Sequence, residues 1–359
     1  MIVGVSGYGA TGASAVVALI MECKDIQSYK YGMEFQLLQE PDGILDLHHY
    51  IVEDQRRLSS HIIIKRFMNN MDNFGGRLLR KETDTFFYTL CEDYLKSLNS
   101  IEWKGKSDFD TPDVRSFLYK KKYHSFTKII TKIGRIVKSD FTWPPCYNRY
   151  YASMTEEQFA KATNIFLTRL LKSSGFNMNC TILLEQLFPP NEPTAGMQFF
   201  EDCRCIVVER DPRDLFIITN HLMSHKAVFM PNNGNVDDFI KYYKGLHAKT
   251  SKDSRVKYIQ YEDLIYDYDN SARDLLGWLG LTMEKERTIF IPEESVNNTC
   301  LYYNYPELKE DIEKIEYELK EYLYPFEIKE KGKEFKRDIR KAFVKKSGDT
   351  KTRIKKLNR

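Results

Sequence analysis

Near the start of the chain an apolar run breaks into a turn that few folds can use. Ile2 to Ser6 reads as a short buried strand, and Gly7-Tyr8-Gly9-Ala10-Thr11-Gly12-Ala13-Ser14 follows it. Small and aliphatic residues from about Ala13 to Glu22 then read as a helix. A glycine-rich turn between a strand and a helix lets backbone N–H groups converge at the positive end of the helix dipole, which suits a phosphate. Further strand text lies at Met33 to Leu38, ending in the turn Glu40-Pro41-Asp42-Gly43, and at Thr181 to Glu185 before the Pro189-Pro190 break. The clearest strand, Cys205 to Val208, runs into Arg210-Asp211-Pro212 and a helix. Val256 to Gln260 leads through Tyr261-Glu262-Asp263-Leu264 to a helix reaching Leu279. Strands alternating with helices predict an α/β fold with a mostly parallel sheet flanked by helices.

Between about residues 74 and 171 the pattern changes to long helices: Phe86 to Leu98, Val114 to Val137 and Glu156 to Leu171, the last with Ser153 and Glu156 spaced as a capping box. This stretch reads as a helical insertion into one α/β domain spanning 1–326, because strands on both sides of it are needed for one sheet. Residues 327–359 read as a basic tail, in which Lys345, Lys346, Lys351, Arg353, Lys355, Lys356 and Arg359 recur with few apolar residues between them. Such a tail is a solvated segment or a weak contact with an anionic membrane surface or glycan. The whole chain of 359 residues, with 54 Lys and Arg against 51 Asp and Glu, carries a net charge of only +3, which excludes a general nucleic-acid signature. Seven cysteines are scattered without CxxC pairs, and no His/Cys/Asp cluster suggests a metal. Together with an N-terminus unlike a signal peptide, this reads as a cytoplasmic protein.

Against the phosphate-loop pattern GxxxxGK[ST], Gly7, Gly12 and Ser14 are in place, but Ala13 stands where the phosphate-binding lysine belongs, which disfavours an ordinary ATPase or kinase. The turn resembles the phosphosulfate loop of the sulfotransferase family, in which Ser or Thr replaces that lysine and a Lys or Arg stands earlier. Gly7, Thr11, Gly12 and Ser14 fit, whereas the earlier cation position is Ala10. Losing one preorganised donor from a transition-state clamp typically costs about 2.7–4 kcal/mol. Arg56, Arg57, Lys65 and Arg66, after the second expected strand, are candidate substitutes.

Downstream, Asp211 is a natural N-cap, Pro212 suits the first helical position, and Asp214 falls in the first turn. Strand-Arg210-Asp211-Pro212-Arg213-Asp214 resembles the family's 3′-phosphate element, in which Arg and a later Ser hold the donor; here Ile218 takes the serine's place and Thr219 follows. Tyr261-Glu262-Asp263-Leu264 and Leu275 to Leu281, with Gly280 as a helix cap, resemble the family's next segment, and Pro292 to Ser295 and Asn297 to Thr299 a polar loop near the nucleotide.

The resemblance implies a P-loop-like sulfotransferase fold and a metal-free enzyme using 3′-phosphoadenosine 5′-phosphosulfate as co-substrate. Its binding residues would be Gly7, Gly9, Thr11, Gly12, Ala13, Ser14, Arg210 and Thr219. The acceptor would be a hydroxyl or amine, by analogy a carbohydrate. Sulfuryl transfer also needs a base, for which Glu40, Asp42, His48 and His49 are candidates, with His48 and Glu40 preferred. Two alternatives stand beside this reading. One is a P-loop kinase or NTPase with Glu209 holding magnesium; the other is a nucleotide-binding module that has lost its chemistry.

Overall fold

The computed structural model describes residues 1–29, 34–56, 58–78, 84–98, 100–105, 147–223, 230–283 and 289–326, together with 129, 132, 133 and 337. In chain order the elements that matter are β1 (Ile2–Gly7), α1 (Ala13–Ile20), β2 (Ile26–Ser28), α2 (Ile44–His48), α3 (Ser59–Leu78), α4 (Asp84–Ser97), β3 (Ile101–Gly105) and β4 (Tyr147–Tyr151). They continue with α5 (Glu156–Ser173), β5 (Thr181–Glu185), α6 (Pro193–Met197), β6 (Cys203–Glu209), α7 (Pro212–Ile217), α8 (Val236–Leu246) and β7 (Val256–Gln260). The last are α9 (Asp263–Tyr266), α10 (Tyr268–Leu279), α11 (Pro292–Ser295) and α12 (Lys309–Glu318).

β2, β5, β1, β6 and β7 lie side by side in that order, and every pairing between them is parallel. β1 is therefore central, wholly buried, and paired with strands far away in sequence. Its alternate side chains feed two apolar layers. Val3 and Val5 pack with Leu183, Ile206 and Val208 under α1 and α10. Ile2 joins Ile182, Leu184, Cys205 and Val207 on the opposite face, where α5 and α8 contribute Phe166, Leu170 and Phe239. All five carboxyl ends emerge on one edge, the usual binding edge of an open parallel sheet.

The second strand differs from its expected place. Met33 itself lies outside the described residues; Glu34 makes only an isolated parallel bridge to Glu185, and residues 37–39 form a turn. Phe35, Leu37 and Leu38 are apolar because they fill the core, and the edge strand is the short, half-buried Ile26-Gln27-Ser28 of β2. In the region read as a helical insertion, α3, α4 and α5 frame an antiparallel ribbon of β3 with β4. The expected helix Val114 to Val137 lies outside the described residues apart from 129, 132 and 133, and the basic tail apart from Arg337.

The cap of α5 sits two residues later than expected. Thr155 Oγ1 accepts from Gln158 N–H at 3.3 Å, and Gln158 Oε1 accepts from Thr155 N–H at 3.1 Å. The reciprocal geometry needs the capping side chain immediately before the first helical residue, a position that Thr155 holds and Ser153 does not. Thr155→Ala is expected to lower stability by about 1 kcal/mol in urea denaturation, and Ser153→Ala to leave the midpoint unchanged.

Candidate functional site

The turn after β1 has the shape of an anion cradle. Gly9, Ala10 and Gly12 have φ of 91°, 53° and 99°, which turns successive backbone groups inward instead of along a strand. Gly12 caps α1 without any side-chain hydrogen bond, and no acidic residue stands in the first turn of that helix. The N–H groups of that turn thus keep their affinity for an external acceptor. Thr11 Oγ1 is buried and makes no hydrogen bond among the described residues. Two glycines are required by space. A Cβ on Gly7 would lie 2.1 Å from Thr11 Oγ1, and one on Gly12 would lie 2.3 Å from the Tyr261 ring.

Neighbouring strands hold the loop in this shape. Tyr8 is buried, its ring centroid 4.2 Å from that of His247, and its hydroxyl donates to Pro190 O at 3.2 Å. From the end of β5, Glu185 Oε1 accepts from Ser14 Oγ at 2.6 Å. The next residue, Gln186, has φ 57°, costly for a side chain of this kind, and its Oε1 accepts from Gly7 N–H at 3.3 Å. Gln186 is pinned from both sides, its N–H donating to Val5 O at 2.7 Å and its carbonyl accepting from Gln39 Nε2 at 2.6 Å. Sequence reading missed both residues. Their one signal was a carboxylate and an amide ending an apolar strand, and they acquire meaning only because β5 lies beside β1.

Arg210 comes to the loop from the other side. It is 2% exposed, with Nη1 donating to Ala10 O at 2.9 Å and Nη2 to Asn298 O, and its guanidinium lies 4.7 Å from the centre of the Tyr261 ring. Asn298 ends the short turn Val296–Asn298 that follows α11. The nearby Glu262 is fully buried; desolvation pushes its carboxyl up to about 8 against the opposing pull of Arg210.

The remainder of the Arg-Asp-Pro segment is structural. Asp211 caps α7, accepting from Arg213 N–H at 2.9 Å, and pairs with the Arg213 guanidinium at 2.7 Å; both side chains are buried. Arg213 also donates to Glu316 on α12 at 2.8 Å and lies over the Tyr302 ring. Asp214 accepts from Cys300 N–H and Leu301 N–H at 2.8 and 2.7 Å. These contacts fasten the segment from Pro292 onward against the end of β6.

The other expected site residues have other surroundings. Thr219 is fully buried, and its hydroxyl donates to Leu215 O at 2.9 Å and Phe216 O at 3.2 Å along its own helix. His48 Nε2 lies 2.7 Å from Glu156, and its ring packs edge-on to Phe159 and Phe199; none of its partners belongs to the loop. Glu40 sits in the turn before α2, its N–H donating to Gln36 O and its carbonyl accepting from Gly43 N–H. Among the cations weighed as substitutes at position 10, exposed Arg56 pairs with Asp54, Arg66 lies 3.7 Å from Asp42, Lys65 is half-buried on α3, and Arg57 lies outside the described residues. Glu209, at the end of β6, accepts from Gln260 Nε2 at 3.2 Å; the carboxylate bonded to the loop is instead Glu185.

Among the described residues no helix is long and apolar enough to cross a membrane. A family model described as a sulfotransferase domain matches residues 193–349, which include the Arg210 and Tyr261 segments but not the turn at Gly7. No curated protein matches the chain.

Proposed function

We propose that this chain, whose residues 193–349 match a family model described as a sulfotransferase domain, moves a sulfuryl group from 3′-phosphoadenosine 5′-phosphosulfate to a hydroxyl or amine of an acceptor, a carbohydrate in our reading. The observation that carries the donor side is the convergence of Arg210, the uncapped start of α1 and the orphan Thr11 hydroxyl on one turn. Backbone N–H groups from Gly9 to Ser14 would hold the 5′-phosphosulfate. Such donors work as preorganised electrostatic stabilisers when negative charge grows on the departing phosphate.

The proton acceptor we assign is Glu185. Its carboxylate already touches the loop through Ser14, and it ends the strand adjacent to β1. In the step, the acceptor oxygen or nitrogen forms a bond to sulfur while the bond from sulfur to the 5′-phosphate oxygen breaks. The electron pair stays on the phosphate, and the acceptor proton passes to Glu185. Ser14 orients the carboxylate, and Gln186 fixes the loop edge from which attack occurs. His48 pairs with Glu156 and Glu40 lies in the turn before α2, so we assign the proton to Glu185 in their place. The domain we assign runs through residue 326.

Calorimetric titration with 3′,5′-adenosine bisphosphate tests the donor site. Binding by the wild type and a loss of about tenfold to several hundredfold in Arg210→Ala are expected for a charge-assisted phosphate contact. Equal affinity in the two proteins, or no binding by either, would sink the reading.

One observation favours a second reading. A loop serine bonded to a carboxylate on the adjacent strand is the donor pair that holds magnesium in P-loop NTPases, and Ser14 with Glu185 reproduces it. Magnesium-dependent binding of ATP, without binding of the adenosine bisphosphate, would select that function.

A further inference from the structure

At the end of β6, five charged side chains are buried together. Arg210, Asp211, Arg213, Asp214 and Glu262 are each no more than 6% exposed, so two guanidiniums face three carboxyl groups. At the rim, Glu316 bonds Arg213 and Asp263 accepts from the Tyr324 hydroxyl, which adds to the negative side. Arg337, the described cation at the rim, donates to Thr299 O at 3.3 Å and to the Tyr266 hydroxyl at 2.8 Å; with it included, acids still outnumber cations. The other titratable groups facing the cluster are uncharged near neutral pH. Burial raises the phenols of Tyr243 and Tyr324 above their usual range and pushes the Cys300 thiol up to about 12.

A carboxyl in such a place takes up a proton sooner than remain ionised without compensation. The hydrogen bonds single out which one. Asp211 accepts from the Arg213 N–H and guanidinium and from Tyr324 N–H. Asp214 has a backbone N–H on each oxygen, from Leu301 at 2.7 Å and from Cys300 at 2.8 Å. Glu262 accepts only from Asp211 N–H, at 3.0 Å through Oε1, and its buried Oε2 has no hydrogen-bond partner among the described residues. Glu262 is thus the least able of the three to carry a charge. We propose that the folded chain stores one proton on Glu262, and that this proton keeps the 292–301 segment closed over the end of β6.

The segment is fastened by members of the same cluster. Asp214 holds Cys300 N–H and Leu301 N–H, Arg210 donates to Asn298 O, and α9, which begins one residue after Glu262, packs against α11. An ionised Glu262 would repel Asp214 and Asp211 and compete with both for Arg210. Burial raises the Glu262 carboxyl to about 8, the two neighbouring acids adding to the rise and Arg210 opposing it. An unfolded glutamate titrates near about 4.3. Between these values the folded chain holds one proton more than the unfolded chain, so stability falls as pH rises through the window and levels off above it.

The test needs no donor and does not depend on sulfuryl transfer. Urea denaturation of the full chain and of Glu262→Gln is compared from pH 5.5 to 7.5. Gln keeps an oxygen for Asp211 N–H and needs no proton to be neutral. Relative to Glu262→Gln, the folding equilibrium constant of the wild type is expected to fall about tenfold per pH unit, while groups common to both proteins cancel. Parallel profiles would overturn the proposal. A profile flattened by Asp214→Asn and unchanged by Glu262→Gln would place the proton on Asp214 and overturn it as well. Hydrogen exchange of the wild type alone tests the closure, whether or not the variants fold. Corrected for base catalysis, protection of the Cys300 and Leu301 amides is expected to fall about tenfold per pH unit over the same range. Protection that does not change with pH would break the link between the proton and the segment.

Discussion

Glu185→Gln is expected to lower sulfuryl transfer by about a hundred- to ten-thousandfold, the range that a general base contributes. The amide keeps the size of the carboxylate and can still accept from Ser14 Oγ, the 2.6 Å contact that ties it to the loop. It has no basic oxygen to take the proton of an acceptor. Turnover would be followed as release of adenosine bisphosphate from the labelled donor with a panel of glycan and amine acceptors, and donor affinity by titration. Affinity should stay nearly constant, because the interaction lost belongs to the transition state and not to the bound donor. An unchanged rate would remove Glu185 from the chemistry; a matching loss of affinity would make it a structural support of the loop. The same experiment on His48→Ala decides whether that residue touches the acceptor. Its 8% exposed side chain and its pairing with Glu156 predict a smaller effect on rate than on stability.

Asp211→Ala should be the most destabilising single change in the Arg-Asp-Pro segment, by about 3–5 kcal/mol. Asp211 is fully buried, and its carboxylate serves Arg213 and the backbone N–H groups of Arg213 and Tyr324, the last at 2.9 Å. Without it, the buried Arg213 charge keeps the half-exposed Glu316, the Tyr324 carbonyl and the faces of the Tyr302 and Phe326 rings. Chemical denaturation would measure the loss. A value under about 1 kcal/mol would show that solvent reaches the pair and that the penalty of an uncompensated buried charge does not apply. Arg213→Met, which removes the charge together with its desolvation penalty, is expected to cost less than Asp211→Ala.

How far the sequence reading reached depended on whether the physics was local. The turn at Gly7, the Asp211 cap with Pro212, and Gly280 at φ 70° closing α10 each have their cause within a few residues, and each was readable in advance. β5 and β6 were also legible, because strands buried on both faces give continuous apolar runs, and the half-buried edge strand β7 was legible from its place just before the Tyr261-Glu262-Asp263-Leu264 turn. β2 was not: Ile26-Gln27-Ser28 has no apolar run, and it is a strand only because β5 offers it an edge. The β3–β4 ribbon escaped for a similar reason, since its two halves are joined by a long stretch of sequence and both carry exposed side chains. The site divides along the same line. The loop could be named from its own residues, whereas Glu185, Gln186 and the approach of Arg210 to Ala10 exist only after strands distant in sequence are laid side by side.

The central place of β1 also bears on the order in which the protein is made. The strand leaves the ribosome well before its two partners, which end at Glu185 and Glu209. At roughly 5–20 residues per second, the apolar Ile2–Gly7 run must wait on the order of 10–40 s for the second of them. During that interval it is an unpaired hydrophobic segment, a natural client for a holding chaperone. The phosphate loop cannot take shape until both neighbours arrive, so a nucleotide could not assist folding before the chain has grown past β6.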